Sequence, residues 1–147
     1  MTSNTLEIPL KAAAALTGAF GIIIALAAYP ATSAPARMLV DLVFWPLDGA
    51  PDLAAPAARL LAAIAGGVLV GWAVTLWLLV ASLSAKRPDV VGSIVKAGIG
   101  SWFLVDSAGS IAAGAPINAF LNIGFLVAFL LPVRLARSAG PLAARHD

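Results

Sequence analysis

Apolar residues in this chain fall into four long runs, and the polar residues gather mainly between them. The runs cover about residues 11–29, 57–83, 90–113 and 117–133. A helix rising 1.5 Å per residue needs about 20 residues to cross a hydrocarbon core of ~30 Å, so each run is close to membrane length. The pattern predicts an all-α polytopic membrane protein, a four-transmembrane-helix bundle built as a single membrane domain over residues 1–147.

The first run, from Lys11 to Tyr29, has the wholly apolar centre Gly21-Ile22-Ile23-Ile24-Ala25-Leu26. Lys11, the run and Ala34-Pro35-Ala36 loosely imitate a cleaved signal peptide. The apolar region is overlong for one, Glu7 lies upstream and the prolines are poorly placed, so an uncleaved span is expected. Residues 30–56 form the one substantial loop, punctuated by Pro30, Pro35, Pro46, Pro51 and Pro56. Within it, residues 35–45 are apolar but only about three turns long. That length predicts a short interfacial or re-entrant helix with Trp45 at headgroup depth. Arg37 and Asp41, at i and i+4, are placed to pair on its wet edge.

The second run carries Ala63-x3-Gly67-x3-Gly71 with Gly66 alongside, a stripe of small residues that predicts a helix-packing face. A nucleotide loop is excluded, because no strand precedes these glycines and no lysine follows in P-loop register. Trp72 and Trp77 lie at mid-run, where they are expected to fill space between helices. The third run is the most polar, with Lys96, Ser101, Asp106, Ser107 and Ser110, and reads as the interior helix. Gly114-Ala115-Pro116 then makes a tight turn into the fourth run, and a short frayed tail with Arg134, Arg137 and Arg145 is expected after it.

Asp106 is the only acid set well inside a run. A charge in hydrocarbon is costly enough that it normally faces a bundle interior, a water-filled cavity or a partner. Asp106 lies eight residues before Gly114 and Asn122 eight after it, so the two share a depth of roughly 12 Å along their helices. Ser110 and Asn118, four residues either side, form a second level. By i,i+4 spacing Asp106 and Ser110 share one face, as do Asn118 and Asn122, and two polar rungs are expected to join the last two spans. Side-chain hydrogen bonds of this kind also serve as plain helix glue, at about 0.6–2 kcal/mol. Arg59 and Arg37 are the charge partners on the correct side of the membrane, whereas Lys96 lies ten residues back and is expected to snorkel inward. Leu39-Val40-Asp41 followed by Gly49-Ala50-Pro51 recurs as Leu104-Val105-Asp106 followed by Gly114-Ala115-Pro116. This offset does not superimpose equivalent spans, so the echo reads as coincidence.

Composition agrees with a bilayer setting: 61% of residues are hydrophobic and 11% charged, against about 25% charged in soluble domains. Mean hydropathy is +0.99. The net charge of +2 comes from basic residues at run ends rather than a patch, so no nucleic-acid partner is expected. Lys11, Lys86, Arg87, Arg134, Arg137 and Arg145 fall on one side against Arg37 and Arg59 on the other. The positive-inside rule then places both termini in the cytoplasm, with a bacterial inner membrane as the expected location. With no cysteine, and His146 the only histidine, thiol chemistry, iron–sulfur ligation and Cys/His zinc sites lack their ligands, and no metal or cofactor is expected.

One long span, a Pro-broken loop helix, Arg59 ahead of the glycine-rich segment from Leu60 to Gly71, and a closing hairpin resemble the DoxX-like small four-span membrane proteins. The resemblance implies an integral membrane protein, some members of that group being associated with quinol or respiratory functions. It transfers no site residue. Three function classes follow: an accessory or assembly subunit that binds a membrane-protein partner or copies of itself; a small transporter, proton path or lipophilic-ligand binder using Asp106; and an intramembrane enzyme. The first is favoured, since four spans leave little room for an enclosed pathway. The third is weakest, because general acid/base work needs a second positioned group and only one deep acid is present.

Overall fold

The computed structural model describes residues 4–143, so Arg145 and His146 lie outside the described residues. It contains α1 (Asn4–Leu26), α2 (Ala34–Val43), α3 (Pro56–Leu83), α4 (Pro88–Ala112) and α5 (Pro116–Ala143), with a 3-10 turn at Pro30–Thr32. No strand occurs among the described residues. Four helices are long and apolar enough to cross a membrane. The chain is thus an all-α integral membrane protein of the four-helix-bundle type.

Prolines set most of the helix starts. Each helix after α1 has proline at its first or second position, where the missing N–H is unused and φ is already helical. This moves the starts of α3, α4 and α5 one or two residues ahead of the predicted ones. Two ends differ more. α1 begins at Asn4 and includes Pro9, with Glu7 and Lys11 paired at 2.7 Å one turn apart. Ser84, at the end of α3, donates to Glu7 Oε2 at 3.2 Å. At the other end α1 stops at Leu26, and Ala27, Ala28 and Tyr29 turn off through hydrogen bonds three residues back. α5 does not fray after Val133 but continues through Pro132 to Ala143.

The α4–α5 turn is a Schellman motif. Gly114 N–H donates to the Ile111 carbonyl at 3.1 Å and Ala115 N–H to the Ser110 carbonyl at 2.8 Å. Gly114 sits at φ +80°, a conformation that suits glycine. Pro116 then starts α5 at once.

α1 packs most extensively on α3 and next on α5, while α4 pairs with α5. A close backbone approach joins Gly21 and Ala25 of α1 to Gly66 of α3. A Cβ on Gly66 would lie 2.5 Å from the Gly21 carbonyl oxygen and run into the backbone of Ala25. Gly67 and Gly71 face open space instead, and Ala63 is half-buried. The expected stripe of Ala63, Gly67 and Gly71 is therefore not the internal packing face; a helix presents adjacent glycines about 100° apart, and Gly66 with Ala73 is the inward pair. Trp77 likewise is 43% exposed rather than packed between helices, with the Lys11 ammonium 5.3 Å from its ring centre.

The main buried cluster lies in the half of the bundle that holds the start of α1 and the later part of α5. Leu6, Leu10, Leu76, Val80, Val91, Val95, Ile99, Phe129 and Val133 form it. Toward the α2 end an aromatic layer follows: Trp72 lies 5.8 Å from Phe129 and 6.3 Å from Trp102, and Phe125 lies 5.9 Å from Trp102 and 5.6 Å from Phe20. Large side chains such as Val68, Leu104, Val105 and Phe120 point outward, as lipid-facing residues do. Gly66→Ala is expected to lower stability by about 1–3 kcal/mol through overpacking, while Gly67→Ala stays within about 0.5 kcal/mol. Thermal unfolding of both variants in mild detergent checks this, and equal midpoints would refute the assignment.

Candidate intramembrane binding site

The Schellman turn fixes the register of α4 against α5 and so decides which polar side chains meet. Asp106 and Ser110 sit one turn apart on α4, Asn118 and Asn122 one turn apart on α5, and the structure brings all four together. Asn122 Nδ2 donates to Asp106 Oδ2 at 2.5 Å and to Ser107 Oγ at 3.2 Å. Asn118 Nδ2 donates to Asp106 Oδ2 at 3.1 Å and to Ser110 Oγ at 2.8 Å. Ser110 in turn donates to the Asp106 main-chain carbonyl at 2.8 Å. Asn122 is 4% exposed and Ser107 8%, whereas Asp106, Ser110 and Asn118 are half-buried. The donor ends of both carboxamides face the carboxyl group, the orientation its acceptor oxygens require.

The expected arginine partners do not reach Asp106. Arg59 Nε donates to the Ala28 carbonyl at 2.7 Å, tying the start of α3 to the turn after α1, where a cation suits the open carbonyls of a helix end. Arg37 lines, with Arg59 and Asp52, a separate cavity of about 210 Å³. Nor does Arg37 pair with Asp41, whose Oδ1 accepts from Gly49 N–H at 2.9 Å and closes the loop after α2. Among the described residues the ion pairs are Lys11–Glu7 and Arg87–Asp89, so none involves Asp106 or Lys96. No group of three His, Cys, Asp or Glu residues comes together among the described residues.

Asp106, Asn118 and Asn122 form one wall of a cavity of about 550 Å³ that all five helices line. Its size falls in the range of about 300–1,000 Å³ usual for small-molecule sites. Phe20, Trp72, Trp102 and Phe125 of the aromatic layer separate it from the core, and Leu39, Val40 and Val43 of α2 line the opposite side. Thr17 also lines it, with its hydroxyl donated to the Ala13 carbonyl at 2.9 Å. Sequence reasoning counted Ser107 among the polar residues of its run without placing it in the cluster, and brought α2 to the site through Arg37 rather than through its apolar face. The signal for α2 was its unbroken Met38-Leu39-Val40 and Leu42-Val43-Phe44, which supply an apolar face.

The chain matches no family model, no curated protein and no solved structure.

Replacing Asn122 by Ala removes two hydrogen bonds in a buried setting and is expected to cost about 1–3 kcal/mol. Ser110→Ala, which spares both bonds between Asp106 and α5, is expected to cost less than 1 kcal/mol, near the membrane average of about 0.6. Equilibrium unfolding in mixed micelles gives the comparison, and a larger loss for Ser110→Ala would contradict the network as described.

Proposed function

We propose that this chain is an integral protein of a bacterial inner membrane, with both termini cytoplasmic, that holds a lipophilic small molecule between its helices. The observation that carries the reading is the cavity of about 550 Å³, apolar and aromatic over most of its lining and polar at Asp106, Asn118 and Asn122. A packed bundle with no ligand to hold has no use for such a volume, because close packing is the main attraction between membrane helices. A few polar groups set in an apolar wall are the usual design for fixing a ligand's orientation. The excess of basic residues on the side of the termini supports the orientation.

A second reading, an accessory subunit or homo-oligomer, is supported by a separate feature. An apolar groove on the outside of α1 and α3 is lined by small and aliphatic residues including Ala15, Gly18, Ala19 and Val74. Small residues allow another helix to approach closely.

Native mass spectrometry of the protein released from mild detergent separates the two. The ligand reading predicts an adduct of small-molecule mass that disappears in Val40→Phe, a change that fills the α2 side of the cavity. An adduct of protein mass, with none of small-molecule mass on either form, would replace it by the subunit reading.

A further inference from the structure

The hydrogen bonds of the cluster leave an asymmetric polar surface. Asn118 Nδ2 and Asn122 Nδ2 each make two bonds, so both amide hydrogens of each are spent. The Ser110 hydroxyl is spent on a main-chain carbonyl. Both amides converge on Asp106 Oδ2, which leaves Asp106 Oδ1 and the Oδ1 atoms of Asn118 and Asn122 without a bond among the described residues. Yet no side-chain nitrogen or oxygen among the described residues is both buried and unbonded. The three oxygens therefore reach accessible space, even though Asn122 as a whole is 4% exposed, and the cavity is the space that all three residues line.

A ligand thus meets three acceptors on the polar wall, one of them from an acid with no cation beside it. A carboxylate or phosphate end would find no free donor on Asp106, Asn118 or Asn122, and turning instead to the indole N–H groups of Trp72 and Trp102 in the same lining would leave the three acceptors unmet. A hydroxyl end supplies one donor. An ammonium end supplies three charge-assisted N–H donors, one for each acceptor. The aromatic faces of Phe20, Trp72, Trp102 and Phe125 suit the flanking carbons of such a cation as well as its apolar body.

We propose that the cavity selects amphipathic amines, the ammonium end bonding to Asp106 Oδ1, Asn118 Oδ1 and Asn122 Oδ1 and the apolar body lying along the aromatic layer. This rests on the ligand-holding reading above and specifies its ligand class.

Because Trp72 and Trp102 line the cavity, their fluorescence reports its occupation. The full chain in zwitterionic nanodiscs is titrated with decylammonium, decanol and decanoate, and Val40→Phe nanodiscs provide the membrane-partitioning background. Decylammonium is expected to saturate the signal at a concentration about tenfold or more below decanol, the scale of one charge-assisted hydrogen bond, with decanoate the weakest. Asp106→Asn is expected to bring decylammonium and decanol level while the circular dichroism stays helical. Should that variant not fold, the ranking on the unaltered chain decides alone. Equal binding of decanol and decylammonium, or tightest binding of decanoate, overturns the selection for amines and leaves the cavity reading standing. No saturable signal with any probe overturns both.

Discussion

The bond between Asp106 and the two carboxamides of α5 is the constraint that organises this protein. Hydrocarbon offers no water to a carboxyl group, so its acceptors must find donors inside the bundle or space that a solvent or ligand can enter. The structure uses both answers on one side chain. Oδ2 collects amide hydrogens from Asn118 and Asn122, and the residue also lines the cavity. That division requires α4 and α5 to sit in one register, which the three-residue connection Ala113-Gly114-Ala115 enforces. A slip of one residue on either helix would rotate its polar face by about 100° and leave the acid among apolar neighbours.

The bundle is built unequally along its length. At the end where α1 begins and α3 finishes, Leu10, Val80, Val91, Ile99 and Phe129 are almost fully buried and the helices interlock. The Gly21–Gly66 approach holds α1 on α3 further along. Beyond the Trp72–Trp102 contact the interior changes from packed side chains to open volume, and α2 is the element that covers it. Aromatic rings suit this boundary, since they offer large rigid faces to the core on one side and to a guest on the other. A chain of four spans thus leaves a partly open cavity of about 550 Å³ between its helices.

Much of this was legible in the sequence because membrane spans are read from length and hydropathy, which do not depend on tertiary contacts. The grouping of Asp106 with Ser110, Asn118 and Asn122 was legible for a related reason: a tight turn makes two helices mirror each other in depth, so counting outward from Gly114 is enough. Face, by contrast, is set by neighbours. Gly66 and Gly67 are indistinguishable in a sequence, and only the placement of α1 decides which one lies against a backbone. Arg59 looked like a partner for the acid because both sit toward the same end of the bundle. It is held instead by an open carbonyl at Ala28, closer to its own helix start. The cavity could not be read at all, since an absence of side chains at one place is a property of five helices together.

The most direct test of the account is a high-resolution structure of the protein in lipid nanodiscs, prepared without added ligand. The account predicts non-protein density between Phe20, Trp72 and Trp102 that extends to hydrogen-bond distance of Asp106 Oδ1, with α2 covering it. A bundle in which side chains fill that volume, or in which Asp106 is paired with Arg59 or Lys96, would contradict it.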